Sequence, residues 1–396
     1  AQIPEVKEEL QSALRSMMEN ASQPSTLVER ISNYDGPGGN DEFRDEVVGY
    51  LNRTQGYNLT RDHVAVTNGS QQTFFLLFNL LCGRHSDGTT RKALLPVCPE
   101  YIGYADNGLL PADELFVAAK PQMEVDETTR TFKYVADMAE VRRVAQAEKI
   151  GVICVSRPTN PTGNVLTAHE VDELDRLACE LDVPFIVDNA YGLPFPSIVF
   201  VESCKLPKFH DNLILCMSMS KLGLPGARTG IVVANPAIIK AIGNLNGVLA
   251  LAPGSIGPGI ATHLLRKGIV DRLCASVIQP WYKARAMLAV DVLLQELKEE
   301  PRVLVHKPEG CIFLWVWARD LPITSMTLYQ RLKDQRVLVI PGSYFFFGLS
   351  AKDAEWKHRT ECIRVSYAAL KEESALRAGL QTIAKTILAA YAQTKL

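Results

Sequence analysis

The sequence has no excess of charge of one sign and no apolar run long enough to cross a membrane. Its 42 Lys and Arg residues and 44 Asp and Glu residues leave a formal net charge of −2 over 396 residues. Nothing in this balance predicts binding to nucleic acid or to an anionic membrane surface. The longer apolar runs, such as 73–82, fall well short of the roughly 20 residues that a membrane helix needs. No secretory signal is recognisable near Ala1, so we expect a cytoplasmic protein. From the charge balance and the short apolar runs, we expect neither a nucleic-acid nor a membrane partner.

Paired metal-ligand motifs are also missing. The nine cysteines are scattered without a CxxC pair, and the seven histidines occur without HExxH or any other paired spacing. Most of the cysteines lie in apolar runs, which is typical of reduced, buried thiols in a cytosolic protein. We therefore expect neither a disulfide framework nor a metal site.

What the sequence does contain is an alternation of short apolar segments with longer helical patterns. The short segments show little polar alternation, as in strands that helices cover on both faces. In 168–181 the apolar side chains form one helical stripe, and Thr167 with Glu170 gives a capping-box pattern at its start. These features predict an α/β fold with a mostly parallel, seven-stranded sheet between helices. The predicted strands are 63–67, 92–97, 114–118, 151–156, 184–188, 213–217 and 229–234.

The two ends of the chain show a different pattern. Helical periods occur at 5–20, 281–300 and 372–393. β-like segments occur at 312–317, 336–340 and 362–367. We interpret 1–33 and 276–396 as a smaller α+β domain made from both chain ends, and 34–275 as the large domain. In open α/β sheets, ligands bind beyond the carboxyl ends of the strands, so the segments that follow the predicted strands are the ones to search for a site.

One of these segments, 218–228, contains Lys221 between small hydroxyl residues, and Arg228 follows after a Gly/Pro turn. A lysine that forms a Schiff base must reach a carbonyl freely, and nearby hydroxyls with a cation can hold a phosphate. Taken alone, however, the segment is best interpreted as a surface loop with a solvated lysine.

Two further segments carry polar groups at predicted strand ends. Asp188 can pair with a protonated ring nitrogen of a buried cofactor, and Tyr191 can offer its phenol to the same site. From these residues alone, it is an equally good interpretation that Asp188 is a helix N-cap and that Tyr191 is a tyrosine of the core. In 156–164, two prolines and a glycine stiffen the backbone, so that Asn160 either donates a hydrogen bond to a phenolate oxygen or simply belongs to a loop.

The segments 67–72 and 99–104 complete the set. Gly69 permits close backbone approach where a strand passes into a helix, whose N–H groups favour a phosphate. The alternative is a Ser70 N-cap without a ligand, and no Walker motif follows. Tyr101 can stack on a flat ring or pack in the core. Together the five segments supply an amine, a phosphate site, an acid, phenolate donors and a stacking face, which is the set that pyridoxal phosphate (PLP) requires.

In this order the segments resemble the fold-type I PLP enzymes of the aspartate aminotransferase superfamily, over almost the whole chain. Within it, the resemblance is greatest to bacterial enzymes that exchange the amino group between valine and pyruvate. It implies a fold-type I PLP transferase, a large PLP-binding domain and a homodimer with shared active sites. It also implies that the family's Gly-rich N-terminal arm would precede Ala1. The segments that carry the resemblance are NYDGPGGN, VTNGSQQTFFLLFNL, PEYIGYAD, ICVSRPTNPTGNV, DNAYGLPFP, CMSMSKLGLPGARTGI, LAPGSIGPG and HKPEGCIFLWVW.

The resemblance assigns catalytic and substrate-binding roles to matching residues. Lys221 would bind the cofactor's aldehyde carbon and shuttle a proton, and Asp188 would pair with the ring nitrogen. Tyr191 and Asn160 would contact the phenolic oxygen. Arg364 and Asn160 would bind the substrate, Arg364 through the α-carboxylate, because its planar fork matches both oxygens.

The resemblance assigns the remaining cofactor contacts as well. Tyr101 would stack on the ring, and Tyr34 would reach the phosphate of the neighbouring subunit. The other phosphate-binding residues would be Gly69, Ser70, Gln71, Ser218 and Arg228.

Substrate choice follows from a missing arginine. Aspartate transaminases bind the side-chain carboxylate with a second arginine, but 246–260 is rich in Gly, Ala, Leu and Pro and has no arginine. This favours small apolar amino acids and 2-oxo acids, with valine and pyruvate giving 2-oxoisovalerate and alanine. Neighbouring substrates should also react, because one methylene is worth only about 1–3 kcal/mol. The alternatives are a β-lyase, an aminotransferase of broader specificity, or a PLP-binding regulatory protein, although no basic appendage supports the last.

Overall fold

Two β-sheets organise the chain in the computed structural model, which describes residues 3–19 and 27–393. The strands are β1 (Val64–Thr67), β2 (Gly83–Arg84), β3 (Thr90–Leu95), β4 (Phe116–Ala118), β5 (Gln122–Asp126), β6 (Thr131–Val135), β7 (Ile150–Ser156), β8 (Phe185–Asp188), β9 (Leu213–Ser218), β10 (Gly230–Val233), β11 (Val303–His306), β12 (Phe313–Ala318), β13 (Ile340–Pro341) and β14 (Cys362–Ser366).

The first sheet has eight strands in the order β1-β10-β9-β8-β7-β3-β2, and β4 also pairs with β3. The pairings from β9 through β8, β7 and β3 to β4 are parallel, whereas β10 is antiparallel to both β9 and β1. Every residue of β7, β8 and β9 is buried, which explains why these segments lack polar alternation. The α/β fold with a mostly parallel sheet is confirmed, and the one strand not predicted, β2, has two residues.

The second sheet has six strands in the order β13-β14-β12-β11-β6-β5. The predicted segments 312–317 and 362–367 are observed as β12 and β14. Sequence analysis missed β11 and the hairpin of β5 and β6. That hairpin lies in the range predicted for the large domain, but β6 pairs with β11 of the smaller one. The division into two domains at these boundaries stays a prediction.

Two predicted strands are shorter than expected. The segment 336–340 forms a strand only from Ile340 onward, because Arg336 has a φ of +62°. The N–H groups of Arg336 and Val337 donate to carbonyls of the preceding helix, and this turn reverses the chain. The segment 114–118 begins in a helical turn, and its strand starts at Phe116.

Helices pack around both sheets. They are α1 (Pro4–Glu19), α2 (Leu27–Ser32), α3 (Asp41–Gln55), α4 (Ser70–Leu81), α5 (Ile102–Ala105), α6 (Ala112–Leu115), α7 (Met138–Ala147), α8 (Ala168–Glu180), α9 (Pro236–Ala250), α10 (Ile256–Arg266), α11 (Ile269–Leu273), α12 (Gln279–Glu296), α13 (Ser325–Asp334), α14 (Ala351–Ala354), α15 (His358–Glu361) and α16 (Glu373–Ala392). The long helices predicted from the sequence are observed as α1, α8, α12 and α16, although residue 20 of the first lies outside the described residues. None of the described helices combines the length and apolarity that a membrane crossing requires.

The capping box of α8 forms as predicted. The Thr167 hydroxyl lies 3.2 Å from the Glu170 backbone nitrogen, and the Glu170 carboxylate accepts the Thr167 N–H at 2.7 Å. The nine cysteines are free, and seven of them are buried.

Strand register brings the predicted functional segments to one edge of the first sheet. Ser156 at the end of β7 is the register partner of Asp188 at the end of β8. Gly230, at the start of the antiparallel β10, is the partner of both Ser218 and Thr67. The loops that follow β1, β7, β8 and β9 therefore meet at the same edge.

Candidate functional site

A cavity opens at this edge, with an open volume of about 640 Å³ that includes its mouth. It brings together most of the residues that sequence analysis selected. The predicted residues that line it are Ser70, Gln71, Tyr101, Asn160, Asp188, Tyr191, Ser218, Lys221 and Arg228. Gly69 and Arg364 do not line it but contact residues that do. Tyr34 is 85% exposed and is not part of this cavity.

Asp188 is held in a fixed orientation by two hydrogen bonds. One carboxylate oxygen accepts the Ala190 N–H at 2.9 Å, and the other accepts the Tyr104 phenol at 2.7 Å. Burial raises the pKa of Asp188 to about 6, against the opposing effect of both hydrogen bonds. No helix follows Asp188, so the N-cap alternative is wrong. A buried acid that retains free lone pairs suits a cationic partner.

Lys221 is half-buried, and its Nζ lies 5.4 Å from the centre of the Tyr191 ring. Burial lowers the pKa of Lys221, and the charges of Arg364 and Arg228 lower it further. A lowered pKa increases the fraction of unprotonated amine, which is the form that attacks a carbonyl. The interpretation of Lys221 as a solvated surface lysine, which the isolated segment favoured, is therefore wrong.

The turn between β1 and α4 forms an anion site. Gly69 has a φ of +89° and occupies the N-cap position, so Ser70 is the first residue of the helix and not its cap. The Ser70 hydroxyl oxygen is buried and has no hydrogen-bond partner in the described part of the chain. A Cβ at position 69 would lie 2.0 Å from Nη2 of Arg228. Helix N–H groups, a free hydroxyl and a guanidinium thus converge where a phosphate would satisfy all three.

Arg364 lies on β14 and donates from Nη1 to Oδ1 of Asn160 at 2.7 Å. A guanidinium only donates, so the facing atom of Asn160 is its oxygen, and the amide N–H₂ remains a donor. The guanidinium carbon lies 4.0 Å from the centre of the Phe313 ring and 5.1 Å from that of Phe345. Burial lowers the pKa of Arg364. A ligand carboxylate would supply the negative charge that this buried guanidinium faces.

Tyr101 borders the same cavity. Its phenol donates to the side-chain oxygen of Gln71 at 3.2 Å, and its ring meets that of Tyr104 edge-on at 5.2 Å. This contact holds the ring of Tyr101 at the cavity wall, as a stacking residue requires.

Sequence analysis missed several residues of the site, including Phe74 and Ser156, which line the cavity. Tyr104 follows Tyr101 by one helical turn, and that spacing could have placed both rings on one side of α5. Glu100, Phe313 and Phe345 carry no comparable signal, because their positions depend on contacts with distant segments.

These residues fit PLP. The amine of Lys221 can bind its aldehyde carbon, and Asp188 can hold its ring nitrogen. The unpartnered Ser70 hydroxyl beside Arg228 suits the phosphate. Enzymes that combine a Schiff-base lysine with an acid at the pyridine nitrogen use this cofactor.

Comparisons with known proteins agree with this arrangement. Residues 124–382 match the family described as aminotransferase class I and II. The chain is 45% identical over 394 residues to the valine–pyruvate aminotransferase of Escherichia coli, covering 100% of this chain and 90% of that protein. A crystal structure of valine–pyruvate aminotransferase from Salmonella typhimurium is 44% identical with a TM-score of 0.88, covering 98% of this chain and 93% of that one. An amino-acid aminotransferase structure from Psychrobacter arcticum is 39% identical with a TM-score of 0.93, covering 98% and 89% of the two chains. This chain belongs to the class I and II aminotransferase family.

Proposed function

We propose that this protein is a PLP-dependent aminotransferase that exchanges the amino group between valine and pyruvate. The observation that carries the proposal is the convergence of Lys221, Asp188 and the anion site in one cavity, with Arg364 behind Asn160. The similar proteins from Escherichia coli and Salmonella typhimurium, which are named for this activity, support the choice of substrates.

When bound, PLP supplies an aldehyde carbon that accepts the amino group and a ring that withdraws electrons from the α-carbon of the substrate. The residues of this chain provide the remaining chemistry. The Lys221 amine would act as the base that takes and holds the α-proton of the substrate, and its lowered pKa increases the fraction of unprotonated amine. Asp188 would keep the ring nitrogen protonated through its negative charge, and Tyr104 and Ala190 hold its oxygens in place.

The other predicted residues bind and orient. Arg364 binds the substrate carboxylate with the part of its fork that Asn160 leaves free, and the Asn160 amide N–H₂ and the Tyr191 phenol donate to the phenolic oxygen of PLP. Tyr101 stacks on the ring. The phosphate is bound by Gly69, Ser70, Gln71, Ser218 and Arg228.

The apolar segment after the lysine supports a small apolar substrate. In the structure Val248, Leu249, Leu251 and Ile256 are exposed, although each is a large apolar residue. No arginine lies between 246 and 260 to attract a second carboxylate. The segment therefore contains no cation that would favour a substrate with a side-chain carboxylate.

The same exposed segment supports a homodimer with shared sites. Exposed apolar side chains that cluster in this way are typical of surfaces that bind another protein. Tyr34 lies in the loop 34–39, which Asn246 attaches to β1 by donating to the carbonyls of Pro37 at 3.0 Å and Val66 at 2.9 Å. Tyr34 is thereby presented outward, and we propose that it reaches the phosphate in a second copy of the chain. Nine free thiols are consistent with a cytoplasmic location.

The reaction is tested by incubating the purified protein with PLP, valine and pyruvate and following the products. We expect alanine and 2-oxoisovalerate in equal amounts, and a visible absorbance band from PLP bound to Lys221. Lys221→Ala should abolish both, whereas Lys333→Ala, which changes an exposed lysine on α13, should abolish neither. Release of ammonia and pyruvate from cysteine without amino transfer would instead identify a β-lyase.

The shared site is tested with mixed subunits. Tyr34→Phe homodimers should bind PLP more weakly than the wild-type protein, and Lys221→Ala homodimers should be inactive. A hybrid of the two subunits contains one site with both residues intact if Tyr34 acts across the interface. Recovery of wild-type PLP affinity at half of the sites is the expected result, and a hybrid that is no better than the Tyr34→Phe parent would contradict the sharing.

A further inference from the structure

Glu100 is a buried acid that neither the predicted site nor the proposed reaction uses. Its side chain is 3% exposed and accepts hydrogen bonds from two residues that line the cavity. One carboxylate oxygen accepts the Tyr101 N–H at 2.8 Å, and the other accepts the Ser156 N–H at 3.0 Å. The Ser156 hydroxyl contacts the first of these oxygens as well. The Glu100 side chain thus links Tyr101, which is predicted to stack on the cofactor, with the end of β7.

The donors around Glu100 require a carboxylate at this place. Each of its two oxygens faces a backbone N–H, which can only donate. A glutamine would direct its own N–H₂ at one of these donors and leave both unsatisfied in a buried position, which is costly. The hydrogen bonds therefore select an acid and not merely a polar side chain of this length.

Glu100 lies beside Asp188, and the charge that shifts its pKa is that of this second acid and not that of a cation. Ser156, which Glu100 binds, is the register partner of Asp188 on the adjacent strand. The titratable groups that face Glu100 are Asp188 on β8, Tyr104 on α5 and Cys154 on β7, and none of them is basic. Burial and the charge of Asp188 raise the pKa of Glu100 to about 8, against the opposing effect of the bonds from Ser156 and Tyr101, so that Glu100 ionises near neutral pH when a cation is bound beside it. Two buried acids without a basic partner leave a place for a ligand cation.

We infer that Glu100 is a positioning residue of the cofactor site, which fixes Tyr101 and the end of β7 and which, when a cationic ring is bound, ionises and adds a second negative charge beside Asp188 that would keep the ring nitrogen of PLP protonated. The inference rests on the proposed function, because the protonated ring is the cation that the two acids share. Asp188 would contact the ring nitrogen, and Glu100 would act on it through space and through Ser156.

Glu170 offers a matched control for the glutamine substitution. It is 7% exposed and likewise accepts two backbone N–H groups and one hydroxyl, from Ala136 at 2.9 Å and from Thr167. It caps α8 and does not line the cavity. Glu100→Gln and Glu170→Gln therefore remove the same kind of hydrogen bonding, and only the first removes a charge beside the cofactor.

The test uses holoenzyme loaded with PLP that carries ¹⁵N in its ring, together with the dissociation constant of PLP. Removing a neighbouring negative charge destabilises the protonated ring, so in Glu100→Gln we expect the ring nitrogen to titrate about one pH unit lower than in the wild type and PLP to bind about tenfold more weakly. In Glu170→Gln the melting temperature should fall, while the ring titration and PLP affinity stay at wild-type values.

Ser156→Ala keeps the inference testable if Glu100→Gln does not fold. It removes one donor from Glu100 without removing the charge, so the ring titration should shift in the same direction by a smaller amount. A ring nitrogen that titrates as in the wild type in the folded variants would overturn the inference. A wild-type protein that binds no PLP would overturn the proposed function instead, so the two failures are distinguishable.

Discussion

At the scale of single residues, Arg364 shows how a charged side chain is kept ready for a ligand. Two phenyl rings lie against its guanidinium, and Asn160 takes one of its N–H groups. Rings of this kind attract the cation and restrict its rotation without neutralising it. The remaining donors of the fork stay free for a carboxylate.

A change of this fork should affect substrate binding specifically. Arg364→Lys keeps the charge but loses the paired donors and the flat surface that Phe313 contacts. We expect KM for both valine and pyruvate to rise about tenfold or more, because one charged hydrogen bond is worth about 1.5–3 kcal/mol. Arg302→Lys, at a remote guanidinium that also covers an aromatic ring, should leave steady-state kinetics unchanged. Equal KM values in Arg364→Lys and the wild type would exclude Arg364 from carboxylate binding.

Sequence could predict residues whose chemistry depends on a local segment. Asp188 ends a buried strand, Lys221 and Asn160 lie in the loops that follow two others, and the parallel sheet brings them together at one edge. Glu100 could not be recognised, although it lies next to Tyr101. Its burial and its contact with Ser156 are created by the pairing of distant strands, which no local pattern records.

At the scale of elements, α8 shows a cap that the sequence predicts correctly. Thr167→Ala removes the hydroxyl that faces the Glu170 N–H and should lower the free energy of unfolding by about 1 kcal/mol. Urea unfolding at fixed protein and PLP concentrations measures this loss. The kcat should stay unchanged, because Thr167 does not line the cavity. An unchanged urea midpoint would show that the cap contributes nothing.

Strands were predicted well where both faces are buried and poorly where the backbone turns. β7, β8 and β9 are apolar up to their last residue, so their sequences alone indicate strands. The segment 336–340 is also apolar, but a positive φ at Arg336 ends the preceding helix there. An arginine in this conformation is uncommon, and the sequence contains no glycine to announce it.

At the scale of the whole molecule, two buried histidines, His306 on β11 and His358 on α15, make stability depend on pH. Burial lowers the pKa of His306 and of His358 to about 3, from an ordinary value of 6.5. The unfolded chain therefore binds more protons than the folded chain between these values, so the free energy of unfolding should fall as the pH drops from about 6.5 toward 3. The raised pKa values of Glu100 and Asp188 act in the opposite direction over part of this range.

A comparison of variants isolates the histidine contribution. In His358→Phe, which replaces one imidazole by an apolar ring, the loss of stability between pH 7 and pH 5 should be smaller than in the wild type. Chemical unfolding at several pH values measures both slopes. The same slope in the two proteins would show that His358 does not titrate on unfolding.

The attachment of the loop 34–39 has a consequence for assembly. Asn246 immobilises this loop within its own subunit, so its conformational entropy is already lost when the single chain folds. In the proposed homodimer, two rigid surfaces then meet without a disorder-to-order transition, which favours rapid and tight association. Tyr34 arrives in its final place at the moment of contact.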